Sequence, residues 1–177
     1  MIPLFVAVYY LPDAWLSPVA KNWTSMAIFA AAAITDWLDG YLARRWGVVS
    51  AFGAFLDPVA DKLMVAAALI MLVWLGRAEA YLAMIIIGRE IAISALREWM
   101  AQLGQGKSVA VAFVGKVKTV AQMTAIVALL LHEPLIPGVS TPLLGSAALW
   151  VAAILTLWSM VHYLKLAAPY VSSGKTS

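Results

Sequence analysis

The sequence lacks cysteine and carries little charge. None of its 177 residues is cysteine, two are histidine, and 12% are charged, against roughly 25% in an ordinary soluble domain. The missing cysteines exclude a disulfide framework, thiolate zinc ligands and a cysteine nucleophile. The 12 basic and 9 acidic residues include no basic tract that could follow a nucleic-acid backbone, so no nucleic acid is expected as a partner.

Apolar residues dominate instead, at 64% of the chain with a mean hydropathy of +0.90. They form long stretches, and about 20 apolar residues are enough to cross a bilayer as a helix. We therefore predict an all-α, polytopic integral membrane protein, a six-transmembrane-helix bundle in which the first helix is short or truncated, folded as a single domain over residues 1–177. The predicted spans are 2–11, which is the short one, 19–41, 58–76, 80–102, 117–132 and 142–166.

The positions of lysine and arginine predict how the bundle is oriented. Most of them fall after the second and fourth predicted spans and at the C-terminal end, whereas the opposite side has only Lys21 and Arg77. Because basic connections stay in the cytoplasm, we expect both ends of the chain on the cytoplasmic side. Aromatic residues near the predicted span ends fit an interfacial belt; they are Trp15, Trp23, Trp74, Tyr81 and Trp150.

Four of the acidic residues lie in one segment, which reads TDWLDGYLARRWGVVSAFGAFLDPVADK over 35–62. On helices, Asp36 and Asp39 are about 60° apart and Asp57 and Asp61 about 40° apart. Since consecutive spans run antiparallel, the four carboxylates are predicted to converge at the cytoplasmic end of two helices. Oxygen ligands select Mg²⁺, Mn²⁺ or Ca²⁺, and a pair of such ions about 3.5–4 Å apart grips a phosphate or pyrophosphate.

Small and basic residues accompany these aspartates. Gly40, Ala43 and Gly53 leave room for a ligand beside the acids, and Arg44 supplies a cation for phosphate. Two other interpretations stay open. Asp57-Pro58 is also a good helix start with Asp57 as N-cap, and Gly40 with Ala43 also suits a helix-packing seam.

The whole segment matches D-x₂-D-G-x₂-A-R-x₈-G-x₃-D-x₃-D without a gap, and so resembles the CDP-alcohol phosphatidyltransferase family. The resemblance implies a membrane enzyme, usually a homodimer, with two divalent cations, Mg²⁺ or Mn²⁺. It implies that Asp61 is the catalytic general base and also a metal ligand beside the first three aspartates. The residues it assigns to CDP-diacylglycerol binding are Asp36, Asp39, Gly40, Ala43, Arg44, Gly53 and Asp57.

Two further stretches are similar to the bacterial members of that family whose acceptor is sn-glycerol 3-phosphate: GREIAISALREWMAQLGQGKSVAVAFVGKVKTVAQMT at 88–124 and LTLWSMVHYL at 155–164. This resemblance implies phospholipid biosynthesis at the bacterial inner membrane, with the active site facing the cytoplasm and phosphatidylglycerophosphate and CMP as products. Such members usually have a polar segment before the first span, whereas this chain starts within the first apolar stretch.

Basic residues in the 88–124 stretch are candidates for binding the acceptor phosphate, and they are Arg89, Arg97, Lys116 and Lys118. Lys116 and Lys118 diverge by about 200° on a regular helix and cannot both face one site, and contact with anionic lipid headgroups is an equal alternative for Lys118. For Glu90 and Glu98 we favour the other interpretation of this stretch, an Arg–Glu network that neutralises charge between helices. On a helix Arg89 lies about 100° away from Glu90. Two alternatives for the function remain: another acceptor, such as serine or an inositol phosphate, and, from a different class, a divalent-cation transporter.

Overall fold

The computed structural model describes residues 2–46, 51–103, 113–134 and 138–173. Over these ranges the regular structure consists of six helices. They are α1 (Ile2–Tyr10), α2 (Pro18–Trp46), α3 (Ala51–Trp74), α4 (Ala80–Gln102), α5 (Phe113–Leu131) and α6 (Thr141–Ser173). The all-helical prediction is confirmed, and each predicted apolar stretch lies mainly within one of the six helices.

The predicted helix bounds agree best with the observed ones where turn residues mark the end of a helix. Helix α4 has the predicted bounds, and the turn before it contains Gly76, whose φ of +68° is a conformation that glycine adopts without strain. Helices α2 and α6 run past their predicted C-terminal ends, to Trp46 and Ser173. The predicted ends followed the loss of apolar residues, but a helix continues through polar residues until a breaker stops it.

The start of α3 differs from the predicted one. The helix begins at Ala51, so Asp57 and Pro58 lie inside it, and the interpretation of Asp57 as an N-cap is wrong. Proline within a helix donates no backbone hydrogen bond, so Pro58 costs α3 one such bond. The residues before Asp57 are nevertheless compatible with a helix, and α3 extends over them towards α2. The extension keeps Asp57 and Asp61 on one continuous helix.

The main core is apolar and takes residues from all six helices. Leu69, Leu72, Ile86, Ile126 and Leu130 are fully buried there. A second, smaller cluster joins α4 to α6 through residues that include Ile93 and Tyr163. Burial of this kind stabilises a chain by about 25 cal/mol per Å² in water, and it fixes the positions of the polar residues that the same helices carry.

Helices α5 and α6 approach each other closely at Gly145. A Cβ atom added there would lie 2.7 Å from Cγ of Leu129, too near for any other residue without a shift of that side chain. This contact sets the spacing of the two helices. It therefore also sets how the polar residues further along α5 and α6 meet α4.

Two cations, Lys21 and Arg77, lie at the end of the bundle opposite the aspartates, and both make contacts that stabilise this end. Arg77 donates from Nη1 to the Leu130 carbonyl (2.9 Å) and from Nη2 to Oδ1 of Asn22 (2.7 Å). Burial lowers the pKa of Arg77, and the neighbouring Tyr9 and Glu133 act in the opposite direction. Lys21 Nζ donates to Asp13 at 2.6 Å. Both cations thus have hydrogen-bond partners within the protein.

Among the described residues, one helix is long and apolar enough to cross a membrane, and it is Thr141–Tyr170. A shorter apolar helix covers Val117–Leu131. Helices α2, α3 and α4 have 29, 24 and 23 residues, and at 1.5 Å per residue the shortest of these is about 35 Å long. They are long enough, but their ionisable residues lower their hydropathy. Those residues are the ones from which the candidate site is built.

Candidate functional site

A cavity of about 470 Å³ lies between α2 and α3 and brings three of the predicted aspartates together. Asp36 and Asp39 of α2 line it from one side and Asp61 of α3 from the other. All three side chains are exposed, so a ligand can reach them. The rest of the wall is mostly apolar and includes Phe29, Leu56, Val59, Leu63, Met64 and Met123. The wall of the cavity thus combines the carboxylates of three aspartates with a mostly apolar surface.

Helix geometry explains why these side chains share the cavity. Residues three apart lie on one face of a helix, which aligns Asp36 with Asp39. Asp57 lies in α3 one turn before Asp61, although its side chain is outside the described part of the structure. Gly40 is half-buried in α2 immediately after Asp39.

The remaining residues assigned to CDP-diacylglycerol by resemblance are less fully described. Ala43 and Arg44 lie in the last turn of α2, and their side chains are outside the described residues. Gly53 lies in the first turn of α3 and is half-buried. The assignment of these three to the liponucleotide stays a prediction.

The chemistry of the aspartates fits a hard divalent cation. Asp36, Asp39 and Asp61 present only oxygen donors to the cavity, the ligand type that Mg²⁺ and Mn²⁺ prefer. Among the side chains that the structure describes, which exclude Asp57, no three acidic or histidine residues are close enough to form a ready-made metal site. Binding of an ion at these donors would therefore draw the α2 and α3 carboxylates together.

Asp61 also lines a second, smaller cavity of about 40 Å³ between α3, α4 and α5. Its other lining residues are Lys62, Val65, Glu90, Lys118, Thr119, Gln122 and Met123. Asp61 and Met123 are therefore part of the walls of both cavities. The charged groups that act on the Asp61 carboxyl come from both sides, and they are Asp36, Glu90, Lys62 and Lys118.

Glu90 connects two of the predicted phosphate ligands beside this small cavity. Its Oε1 accepts hydrogen bonds from Arg89 Nη1 (3.2 Å) and from Lys118 Nζ. Both cations are buried, and the Glu90 side chain is 20% exposed. The angular separation of Arg89 and Glu90 on α4 does not prevent this contact, because the long arginine side chain turns back towards its neighbour.

Helix α6 completes the network. Ser159 Oγ accepts from Arg89 Nη2 at 2.7 Å and donates to the Thr156 carbonyl at 2.9 Å. The Tyr163 ring lies 5.6 Å from the guanidinium carbon of Arg89, within the range of a cation–π contact. These contacts hold the Arg89 guanidinium from the α6 side, and its contact with Glu90 connects it to the wall of the small cavity, which Arg89 itself does not line.

The other two predicted phosphate ligands are placed differently. Arg97 is exposed further along α4 and is not among the residues lining either cavity. Lys116 lies in the first turn of α5, and its side chain is outside the described residues. Of the four candidates, the described structure places Arg89 and Lys118 together.

Sequence reasoning missed three residues of this region. Ser159 and Tyr163 reach Arg89 from α6, and Gln122 lines the small cavity from α5. Ser159 and Gln122 each interrupt a long apolar stretch, a signal the sequence does contain, because a polar side chain in such a helix normally faces a partner. For Tyr163 the sequence offers no comparable signal.

Comparison with known proteins assigns this arrangement to a class. The model of the CDP-alcohol phosphatidyltransferase family matches residues 1–158, and the chain belongs to this family. Members of the family generally depend on a divalent metal ion, which agrees with the oxygen donors of the large cavity.

Among curated bacterial proteins, the chain is similar to several that carry the name CDP-diacylglycerol–glycerol-3-phosphate 3-phosphatidyltransferase. It is 51% identical over 173 residues to the one from Salmonella typhimurium. It is 50% identical over 173 residues to those from Escherichia coli K12 and Shigella flexneri. Each alignment covers 94% of this chain and 88% of the relative.

Proposed function

We propose that the protein transfers the phosphatidyl group of CDP-diacylglycerol to sn-glycerol 3-phosphate, giving phosphatidylglycerophosphate and CMP. The relatives at 50–51% identity carry the name of this activity. The observation that carries the proposal is the position of Asp61 in the walls of both cavities. A residue at such a junction can contact the acceptor in one cavity and the reacting phosphorus in the other.

The large cavity suits the liponucleotide. Its apolar wall accepts the start of the acyl chains, and Asp36, Asp39 and Asp61 face the space in which the pyrophosphate would lie. Since carboxylates repel phosphate, these residues would hold the liponucleotide together with a divalent cation, and by resemblance Asp57 joins them as a ligand. Bound there, two Mg²⁺ or Mn²⁺ ions would neutralise the pyrophosphate and stabilise charge developing during displacement.

Asp61 acts as the general base in this proposal. Its carboxylate accepts the proton of the primary hydroxyl of sn-glycerol 3-phosphate while that oxygen forms a bond to the phosphorus carrying the diacylglycerol. The bond from this phosphorus to the bridging oxygen breaks, and CMP leaves with that oxygen. A positioned general base contributes about 10²–10⁴ in rate.

The small cavity supplies the acceptor side. Lys118 is a cation of its wall, and Arg89 lies behind Glu90, the anion of the wall that both cations contact. A phosphate of the acceptor can take the place of Glu90 or share both cations with it. Lys116 and Arg97 stay predicted phosphate ligands.

We also propose that the six helices form a multi-pass bundle in the bacterial inner membrane, with the aspartate end facing the cytoplasm, and that the enzyme is a homodimer. Two observations favour the membrane. Buried ionisable residues of α4 and α5 are paired inside the bundle, as intramembrane charges are. All five residues of the predicted aromatic belt, from Trp15 to Trp150, are exposed.

The test follows CMP release from CDP-diacylglycerol by purified protein in detergent, with sn-glycerol 3-phosphate, serine or an inositol phosphate as acceptor. We expect release with sn-glycerol 3-phosphate, and a loss of about 10²–10⁴ in kcat for Asp61→Asn with an unchanged thermal unfolding profile. Glu79→Gln is the control, because Glu79 is an exposed carboxylate just before α4, at the opposite end of the bundle, and its side chain makes no capping hydrogen bond there. Normal turnover by Asp61→Asn would refute the role of base, and release only with another acceptor would refute the assigned substrate.

A further inference from the structure

Gln122 is a polar side chain of the small cavity for which the reaction above has no use. It lies on α5, one helical turn after Lys118, and is only 5% exposed. Its Oε1 is fully buried and has no hydrogen-bond partner among the residues that the structure describes. A buried oxygen left without a donor costs about 1–3 kcal/mol, so its position indicates a partner supplied from outside the chain.

Apart from Lys62, which is half-buried, the other polar groups of the cavity wall are already engaged or assigned; Thr119 Oγ1, for example, donates to the Gly115 carbonyl. Glu90 accepts from Arg89 and Lys118, and Asp61 faces both cavities as the proposed base. Only a hydrogen-bond donor can satisfy Gln122 Oε1, and the acceptor phosphate, at neutral pH, has few or none. The donors small enough to reach it from outside the chain are a water molecule and a hydroxyl group of the acceptor, and only the second ties Gln122 to the reaction.

The volume of the cavity sets the size of that partner. About 40 Å³ exceeds the roughly 10–15 Å³ that one water molecule needs. It admits a hydroxyl group with the carbon that bears it, but not an entire acceptor molecule. The acceptor's phosphate at Lys118 and its reacting hydroxyl at Asp61 would both lie at the edge of this space.

We infer that Gln122 is a specificity-determining residue that accepts a hydrogen bond from the secondary hydroxyl of the acceptor, the one between its phosphate and its reacting hydroxyl. The inference rests on the proposed function and extends it to the choice of acceptor. A site built to pair with a substrate hydroxyl discriminates strongly against an analogue without it, because the buried protein group then stays unpaired.

The experiment compares sn-glycerol 3-phosphate with 3-hydroxypropyl phosphate, which has the same phosphate and primary hydroxyl but no secondary hydroxyl. For the unmodified enzyme, we expect kcat/KM to be at least about tenfold lower with the analogue, the scale of one hydrogen bond. Gln122→Met keeps the length of the side chain and removes the oxygen. It should lower kcat/KM for sn-glycerol 3-phosphate to the value for the analogue and leave the analogue's own value unchanged.

Two further variants separate recognition from a merely structural role. Gln122→Glu keeps an oxygen acceptor near Lys118 and should retain the preference for sn-glycerol 3-phosphate. Gln102→Met is the matched control, since Gln102 is exposed at the end of α4 and its replacement should leave both acceptors unaffected.

Three results would overturn the inference. Equal rates with the two acceptors in the unmodified enzyme would do so, even if Gln122→Met failed to fold. A Gln122→Met variant that loses both activities by the same factor would show that Gln122 only supports the fold. Absence of any turnover by the unmodified enzyme would overturn the proposed function, and this inference together with it.

Discussion

The pairing of Glu90 with two buried cations leads to a quantitative prediction for Glu90→Gln. The variant keeps the shape of the side chain but removes the negative charge. Arg89 and Lys118, whose side chains are 8% and 7% exposed, would then lose the carboxylate that both of them contact. The folded state should therefore be destabilised, because neither cation can turn to water without leaving its helix interface.

The structure bounds the magnitude of this loss. Removal of one partner from a fully buried ion pair costs about 3–5 kcal/mol. Glu90 is 20% exposed and Arg89 keeps its contacts with Ser159 and Tyr163, so we expect about 2–3 kcal/mol. For a chain of this size that corresponds to a fall in Tm of about 4–12 °C.

Thermal unfolding followed by tryptophan fluorescence in detergent measures this change, with Glu98→Gln as the matched control. Glu98 is exposed on the same helix, so its replacement should change stability by less than about 0.5 kcal/mol. The second arm adds sn-glycerol 3-phosphate. If its phosphate binds Arg89 and Lys118, it should stabilise Glu90→Gln more than the unmodified protein, in which it competes with Glu90.

The size of that rescue can also be stated. A ligand present at 100 times its Kd stabilises the folded state by about 2.7 kcal/mol, enough to offset the expected loss. An unchanged Tm in Glu90→Gln would refute the view that Glu90 neutralises the two cations. Equal stabilisation of both proteins by sn-glycerol 3-phosphate would refute the view that the phosphate takes its place.

Two further predictions concern the metal ion and the opposite end of the bundle. Removal of divalent cations with a chelator should abolish CMP release and Mg²⁺ or Mn²⁺ should restore it; release that persists in the chelator would contradict the role given to Asp36 and Asp39. Arg77→Met should lower the free energy of unfolding by about 2–3 kcal/mol, because it leaves the Leu130 carbonyl and Asn22 without their donor, while kcat per folded molecule should not change. A selective loss of kcat would show that Arg77 acts on the reaction rather than on the fold.

The sequence predicted most of the helical pattern, because long apolar stretches and turn residues act locally. It could not predict that α3 begins before Asp57, since Asp57-Pro58 fits a helix start equally well as a local pattern. Only the packing of the extended helix decides between the two. The same limit applies to the C-terminal end of α2, where polar residues continue a helix that hydropathy alone would end.

For the candidate site, spacing within one helix was sufficient to group Asp36 with Asp39, and the antiparallel connection to α3 was sufficient to bring Asp61 to the same cavity. Contacts between helices that are far apart in the sequence could not be predicted from it. The bond from Arg89 to Ser159 joins residues 70 positions apart, and no periodicity in either helix specifies it. Gln122 was overlooked for a related reason: a single polar residue in an apolar helix shows that a partner is needed, but not which one.

The two arginines inside the bundle show how partners distinguish a structural cation from a binding one. Arg77 is held by the Asn22 side chain and by two backbone carbonyls of α5, and the carbonyls cannot leave without unfolding a helix end. Arg89 is held on one side by Ser159, but its charge is balanced by Glu90, a carboxylate on a rotatable side chain beside a cavity. A carbonyl offers only a partial negative charge and a fixed position, whereas a carboxylate can be exchanged for another anion of similar geometry. Arg89 and Lys118 are therefore the cations to which we assign the acceptor phosphate in the proposed function, and we assign Arg77 a structural role.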